Sequence, residues 1–433
     1  MPTLRPFRGL GYALDRFAVP APPGMRVADV TAVVCPPYDV ISPAQQAALR
    51  ARDRHNAVRL ELSGEADPHA AAAASLAAWQ ADGTLERRRE GSVYYYRHAR
   101  PAAPDEPAVQ GVLARLLLEP FGVGVRAHEH TMAGPKADRL ALLRTTRTQL
   151  SPILAIYFDR SARYDQVMGL PWTDEWRAHD GDGLLHALAA VEPDERLLSH
   201  LSRQQLYIAD GHHRYETALA YQAEVRSDPR LTDAPAGSLA ADWAMVVMVN
   251  AEREELEILA THRLILDADS GALRSLVSDP GPMWEVRAVA PVELGARLAA
   301  TADEARPAFG LVLPGGQGYL LVGDADAVAE RMERERTSTA VRRLDLAILH
   351  AAILGDRLGI SAADLATGGK LAYTRSEADA IRAVASGEAK AAILVRPTRL
   401  EQLAAVAGAG DVMPQKSTYF YPKLLTGLVF DRF

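Results

Sequence analysis

The chain has 433 residues, 48% of them hydrophobic and 24% charged, an ordinary globular composition that predicts two or three domains or lobes. Its net charge of −7 lacks the basic surplus of a nonspecific nucleic-acid binder, so nucleic acid is not the expected partner. A single cysteine, Cys35, excludes a disulfide framework within the chain, and no apolar run suits a signal peptide or a bilayer span, so the expectation is a cytoplasmic protein without membrane segments.

In chain order, "SPAQQAALRAR" predicts a helix, with Ser42 as its cap and Pro43 at its first position. "HNAVRLEL" reads as a strand. "AAAASLAAWQADGTL" reads as a helix stopped by Gly83. "SVYYYRHA" and "QGVLARLLLE" predict a strand pair joined by a proline-rich loop. "HEHTMAGPKADRLALLRTT" is a loop leading into a helix, and "SPILAIYF" is a strand. Residues 160–205 read as polar and partly helical. In "LYIADGHHRYETALAY" a strand runs through Gly211 into a helix. "ADWAMVVMVNAE" and "LEILATHRLI" are further strands.

From about residue 268 the texture changes, with strands "MWEVRAVA", "ARPAFGLVLPGGQGYLLVGD" and "AKAAILVRP" set among helices "LDLAILHAAILGDRLG", "SEADAIRAVASG" and "RLEQLAAVAGAG". The alternation predicts an α/β or mixed α+β fold. Two domains are expected, residues 1–267 and 268–433, with a polar-aromatic tail from 411 to 433.

Four stretches can carry chemistry. A strand that turns through Gly211 into a helix leaves backbone N–H groups exposed at the helix start, where the dipole favours an anion. Arg214 can grip phosphate oxygens in bidentate fashion. His212 and His213 can donate to phosphate, shuttle a proton or bind a metal. Asp210 can hold a metal or orient a histidine; the plainer reading is an aspartate capping the helix.

Around "HEHTMAGPKADRL", His128 and His130 alternate as two metal ligands on one strand face would, and Lys136 and Arg139 can meet phosphate. In "DVMPQKSTYFYPKLL", Lys416, Ser417 and Lys423 can contact phosphate, although Gln415 and Pro414 exclude a true phosphate loop. Two of the chain's five lysines fall in that tail and a third is Lys136. Where arginine otherwise dominates, a retained lysine points to a need for a compact ammonium. In "CPPYDVIS", Asp39 can act as a general base toward a hydroxyl, or simply close its own turn. Motifs for dinucleotide binding, serine hydrolysis and thiol redox chemistry are missing.

"PPYDVIS", "HEHTMAGPKADRLALL", "YIADGHHRYETAL", "THRL" and "MPQKSTYFYPKL" resemble, in order and across nearly the whole chain, the uncharacterised family called domain of unknown function 1015. "ADGHHR" is also similar to the nucleotide-binding box of the ParB/sulfiredoxin-like superfamily, and most closely to its free serine kinases. That resemblance implies a ParB/sulfiredoxin-like nucleotide-binding core with a C-terminal α/β lobe whose tail returns to the site. It implies ATP or ADP with Mg²⁺ as cofactors, and transfer to a small hydroxyl compound such as free serine. Asp210, Gly211, His212, His213 and Arg214 would form the phosphate-binding turn, with His213 also available for proton transfer. Lys136, Arg139, Lys416, Ser417 and Lys423 would add charge and hydrogen bonds. Asp39 and Glu129 both remain candidates for the general base. The alternatives are a ParB-like nucleotide-binding regulator, or a metal-dependent phosphatase or hydrolase built on the histidines.

Overall fold

The computed structural model describes the chain except residues 101–106, 130–133, 162–172, 253–254, 302–305 and 368. The fold is mixed α/β and divides into two compact units. The first comprises Met1–Ala127, Thr131–Leu256 and Pro422–Phe433; the second comprises His128–His130 and Glu257–Tyr421.

The first unit is built on an eleven-stranded sheet. Along its central part run the strands Asp174–His179, Leu185–Val191, Val93–Ala99, Pro107–Leu117, Trp243–Asn250, Ile153–Tyr157 and Leu206–Asp210. Most neighbours are antiparallel, but Ile153–Tyr157 runs parallel to Trp243–Asn250, so the sheet is mixed. Trp243–Asn250 is buried along its whole length, as its unbroken apolar run requires. Ile153, Ala155, Leu206, Ile208, Val246 and Met248 form a core with Tyr215 and Ala218 of the helix His212–Arg226. That helix also packs on the helix Gly134–Thr146.

The C-terminal segment is stitched into this unit. Cys35 and Thr426 exchange backbone hydrogen bonds of 3.1 and 2.8 Å, Leu10 pairs with Phe430, and Asp431 pairs with Gln149. Buried Arg115 clamps buried Asp431 through bonds of 2.7 and 2.5 Å. This stitching brings Lys423 to the end of the strand Leu206–Asp210.

The second unit has a six-stranded sheet in the order Trp284–Ala288, Gln317–Gly323, Ala308–Leu313, Ala391–Leu394, His262–Ile265, Leu371–Thr374, and every pairing is antiparallel. Leu294, Leu298, Val312, Leu320, Val384 and Leu394 belong to its core.

Three sequence expectations fail locally. "HNAVRLEL" contains the helical turn Val58–Glu61, not a strand. Asn56 decides this, because its side-chain oxygen accepts from Val58 N at 3.0 Å while its amide donates to the carbonyls of Ala32 and Val34. Residues 160–205, read as polar and partly helical, contain the strands Asp174–His179 and Leu185–Val191 before the helix Glu195–Leu201. "LEILATHRLI" is two short strands, Glu257–Ile258 and His262–Ile265, in separate sheets. Among the described residues no helix is long and apolar enough to cross a membrane.

Candidate functional site

In the first unit, Leu206–Asp210 ends at Gly211, which adopts a left-handed backbone with φ 89° and ψ 28°. The helix starts at once, and Tyr215 N closes its first turn on Gly211 O at 2.9 Å. A Cβ at position 211 would lie 2.9 Å from Arg214 Nε, so glycine is needed both for its backbone and for that close approach.

The plainer reading of Asp210 as the cap of this helix fails. Gly211 is the cap residue, and it has no side chain with which to bond the first turn. Asp210 instead receives two cations: Arg214 Nη2 donates to Oδ2 at 2.5 Å, and Lys423 Nζ donates to Oδ1. Burial alone would raise the Asp210 carboxyl, but Lys423 and Arg214 outweigh it and hold the group well below the usual carboxylate range. Arg214 also donates to Pro152 O, which fixes its guanidinium beside the helix start. The strand end, the first helical turn and the C-terminal segment therefore meet in one cluster carrying two cations and one carboxylate, with His212 and His213 on the same turn.

Lys136, expected at the phosphates, forms an ion pair with Glu216, just beyond Arg214 on the same helix. Arg139, given the same role, is buried and enclosed. It donates to Glu61 Oε2 at 2.8 Å and to Asp138 Oδ2 at 2.9 Å, and its guanidinium lies 4.3 Å from the centre of the Tyr38 ring. Asp39 is exposed, in the short 3-10 turn Tyr38–Val40. Burial and Asp39 push the Tyr38 hydroxyl up to about 12, against the pull of Arg214 and Arg139.

A small cavity reaches Arg214 and is lined also by Tyr38, Glu61, Arg139, Ser151 and Thr217. About 60 Å³ is open to the centres of water molecules, which at about 10–15 Å³ each is room for roughly five. Ser151 Oγ donates to Glu61 Oε1, so the 2.5 Å contact between Ser151 and Thr426 has Thr426 as donor. Thr217 Oγ1 is buried and has no hydrogen-bond partner among the described residues. Glu61, Ser151 and Thr426 escape sequence reasoning because Ser151 lies 90 positions from Glu61 and 275 from Thr426, in unrelated stretches; only the fold assembles them. Cys35, buried beside Thr426 and Glu61, has its thiol pushed well up by burial, so it is held as an unreactive thiol.

Other expected residues belong to the second unit. Buried His128 meets Thr418 Oγ1 through Nε2 at 2.7 Å, and Glu129 Oε1 accepts from Lys416 N at 2.8 Å. Lys416 has a left-handed backbone, φ 57°. Ser417, expected to offer its hydroxyl to phosphate, is buried and turns that hydroxyl back to Pro414 O at 2.6 Å. Fully buried Arg263 donates to Lys416 O at 3.0 Å and Gln415 O at 3.3 Å, and burial lowers its guanidinium to about 10. In sequence His262 and Arg263 read either as site residues or, more plainly, as a strand-end pair. His130 lies outside the described residues. No group of three His, Cys, Asp or Glu able to hold a metal occurs among the described residues.

A family model described as "Protein of unknown function (DUF1015)" matches residues 4–347. No curated protein matches the chain. Among solved structures, a free serine kinase in complex with AMP is 12% identical, with a TM-score of 0.36 over 69% of this chain and 83% of that one. A point mutant of a free serine kinase in complex with ADP is 10% identical, with a TM-score of 0.36 over 70% and 90%. A conserved hypothetical protein from Pyrococcus furiosus is 12% identical, with a TM-score of 0.35 over 70% and 89%.

Proposed function

Because the chain belongs to the DUF1015 family, whose description names no activity, we propose a function from the site itself: a cytoplasmic nucleotide-dependent phosphotransferase acting on a small hydroxyl compound. The observation that carries this reading is the left-handed Gly211 between a strand end and a 15-residue helix, with Arg214 and Lys423 fixed beside the helix start. Backbone N–H groups, the helix dipole and two cations against one carboxylate favour a multiply charged anion. Phosphoryl transfer asks mainly for such positioning and charge.

In this reading the turn from Asp210 to Arg214 receives the phosphates of ATP or ADP. Lys423 and Arg214 face the charge that develops on the transferred group, and His213 is available for proton transfer. Asp39 is the general base favoured in this unit, because it is exposed on the turn whose Tyr38 lines the cavity at Arg214. Glu129 is already engaged by Lys416 N. The choice of free L-serine as acceptor rests on the resemblance to the free serine kinases. Mg²⁺ finds no ready protein cage here, since both oxygens of Asp210 are engaged and no three-ligand group is present among the described residues. No protein ligand is assigned to it.

The test is incubation with ATP or ADP, Mg²⁺ and a panel of hydroxy amino acids and sugars, followed by detection of phosphorylated product. Turnover that Arg214→Ala and Asp39→Asn abolish supports the reading. Absence of both turnover and calorimetric nucleotide binding overturns it.

A further inference from the structure

The second unit carries a groove of about 1000 Å³, at the upper end of the range for small-molecule sites. It is bordered by the helices Ala325–Met332, Thr339–Arg342 and Leu400–Gly408. Val328, Leu344 and Ile348 give it an apolar floor. Three arginines and one glutamate line it, so its charge is positive.

The arginines around it are satisfied differently. Arg331 pairs with Glu335 and Asp356, and Arg396 holds Asp345 at 2.7 and 2.9 Å. Arg342 and Arg343, both in the groove, have no ion-pair partner among the described residues. The guanidinium of Arg342 donates to Thr339 Oγ1 at 3.2 Å, while its Nε is shielded from solvent without a hydrogen-bond partner. A buried donor without an acceptor is costly, and a guanidinium fork matches the oxygens of a carboxylate, phosphate or sulfonate.

An apolar ligand would cover the floor and leave these donors unmet. A bare inorganic anion would meet the donors and leave the floor wet. We propose that the groove binds a small amphipathic organic anion, its acidic head on Arg342 and Arg343 and its apolar body over Val328, Leu344 and Ile348. This site is separate in residues and chemistry from the turn at Gly211 and does not depend on the phosphotransferase reading.

The test uses the full chain and calorimetric titration with decanoate below its micelle concentration, with decanol and inorganic phosphate as parallel arms. Decanoate binds saturably, and each of the other two binds at least about tenfold more weakly. Arg342→Gln and Arg343→Gln weaken decanoate binding by about tenfold or more. Ala405→Trp, at an exposed lining position, blocks the groove without removing charge and leaves the melting temperature unchanged. Failure of decanoate to bind, binding unchanged in Arg342→Gln and Ala405→Trp, or decanol binding as tightly as decanoate overturns the proposal.

Discussion

Lys423 and Asp210 lie 213 positions apart in sequence and meet through a direct hydrogen bond, Nζ to Oδ1, while Arg214 holds the other carboxylate oxygen at 2.5 Å. Replacing the carboxylate by an amide leaves two nearly buried cations facing a neutral group. Asp210→Asn is therefore expected to lose about 3 kcal/mol of stability at pH 7. Burial pushes the carboxyl up, but the two cations depress it further, so its folded value lies below its unfolded one. Such a group stabilises fully above the ordinary aspartate value of about 3.9, and the contribution fades as pH falls through the folded value. Urea unfolding at pH 7 and at pH 3 checks this. The gap between wild type and Asp210→Asn must narrow at the lower pH, and an equal gap sinks the assignment.

Gly211→Ala introduces a Cβ at φ 89° and 2.9 Å from Arg214 Nε. The backbone alone costs about 1–3 kcal/mol, and relief of the contact moves Arg214 away from the helix start. Denaturant unfolding should show the loss, and calorimetry should show weakened binding of ATP. An alanine variant as stable and as avid as wild type would remove the case for a built turn.

This strand–glycine–helix junction was legible because its signals are local. The apolar run of Leu206–Asp210, a glycine and a helical pattern name the geometry, and they are where the structure puts them. Local signals also found the helix Pro43–Arg52, whose Ser42 cap and Gln45 bond each other reciprocally. Partner choice was not legible. Asp210 read as a metal-holding or histidine-orienting carboxylate, or more plainly as a helix cap, and its pairing with Lys423 depends on the C-terminal stitching. Lys136 and Arg139 looked like phosphate donors, yet Glu216 and Glu61 engage them. Ser417 looked like a hydroxyl beside a lysine, yet it closes its own loop. Residue type and spacing do not reveal which long-range partner a charge meets, and the Val58–Glu61 turn failed for the same reason, since Asn56 is held by the carbonyls of Ala32 and Val34.

Arg139 offers a test of geometry against charge. Its guanidinium bonds Glu61 and Asp138 and lies 4.3 Å from the centre of the Tyr38 ring. Lysine keeps the charge but cannot supply the planar fork or the stacking. Arg139→Lys is expected to cost about 2 kcal/mol in urea unfolding, because Glu61 keeps a partner but loses hydrogen bonds. A loss near zero would mean that charge alone holds Glu61.

Lys416 tests backbone strain against chain entropy. Its φ of 57° is one that glycine adopts without strain, and four contacts hold the loop in place: Glu129 on Lys416 N, Arg263 on Lys416 O, Ser417 on Pro414 O and Thr398 on Ser417 O. Lys416→Gly relieves a strain of order 1 kcal/mol but loosens the unfolded chain by a similar amount, so its stability should stay within about 1 kcal/mol of wild type. Lys416→Val, β-branched at the same backbone, should lose about 1–3 kcal/mol. Urea unfolding of the two variants checks this, and a valine variant as stable as the glycine one would show that the φ of 57° carries no strain.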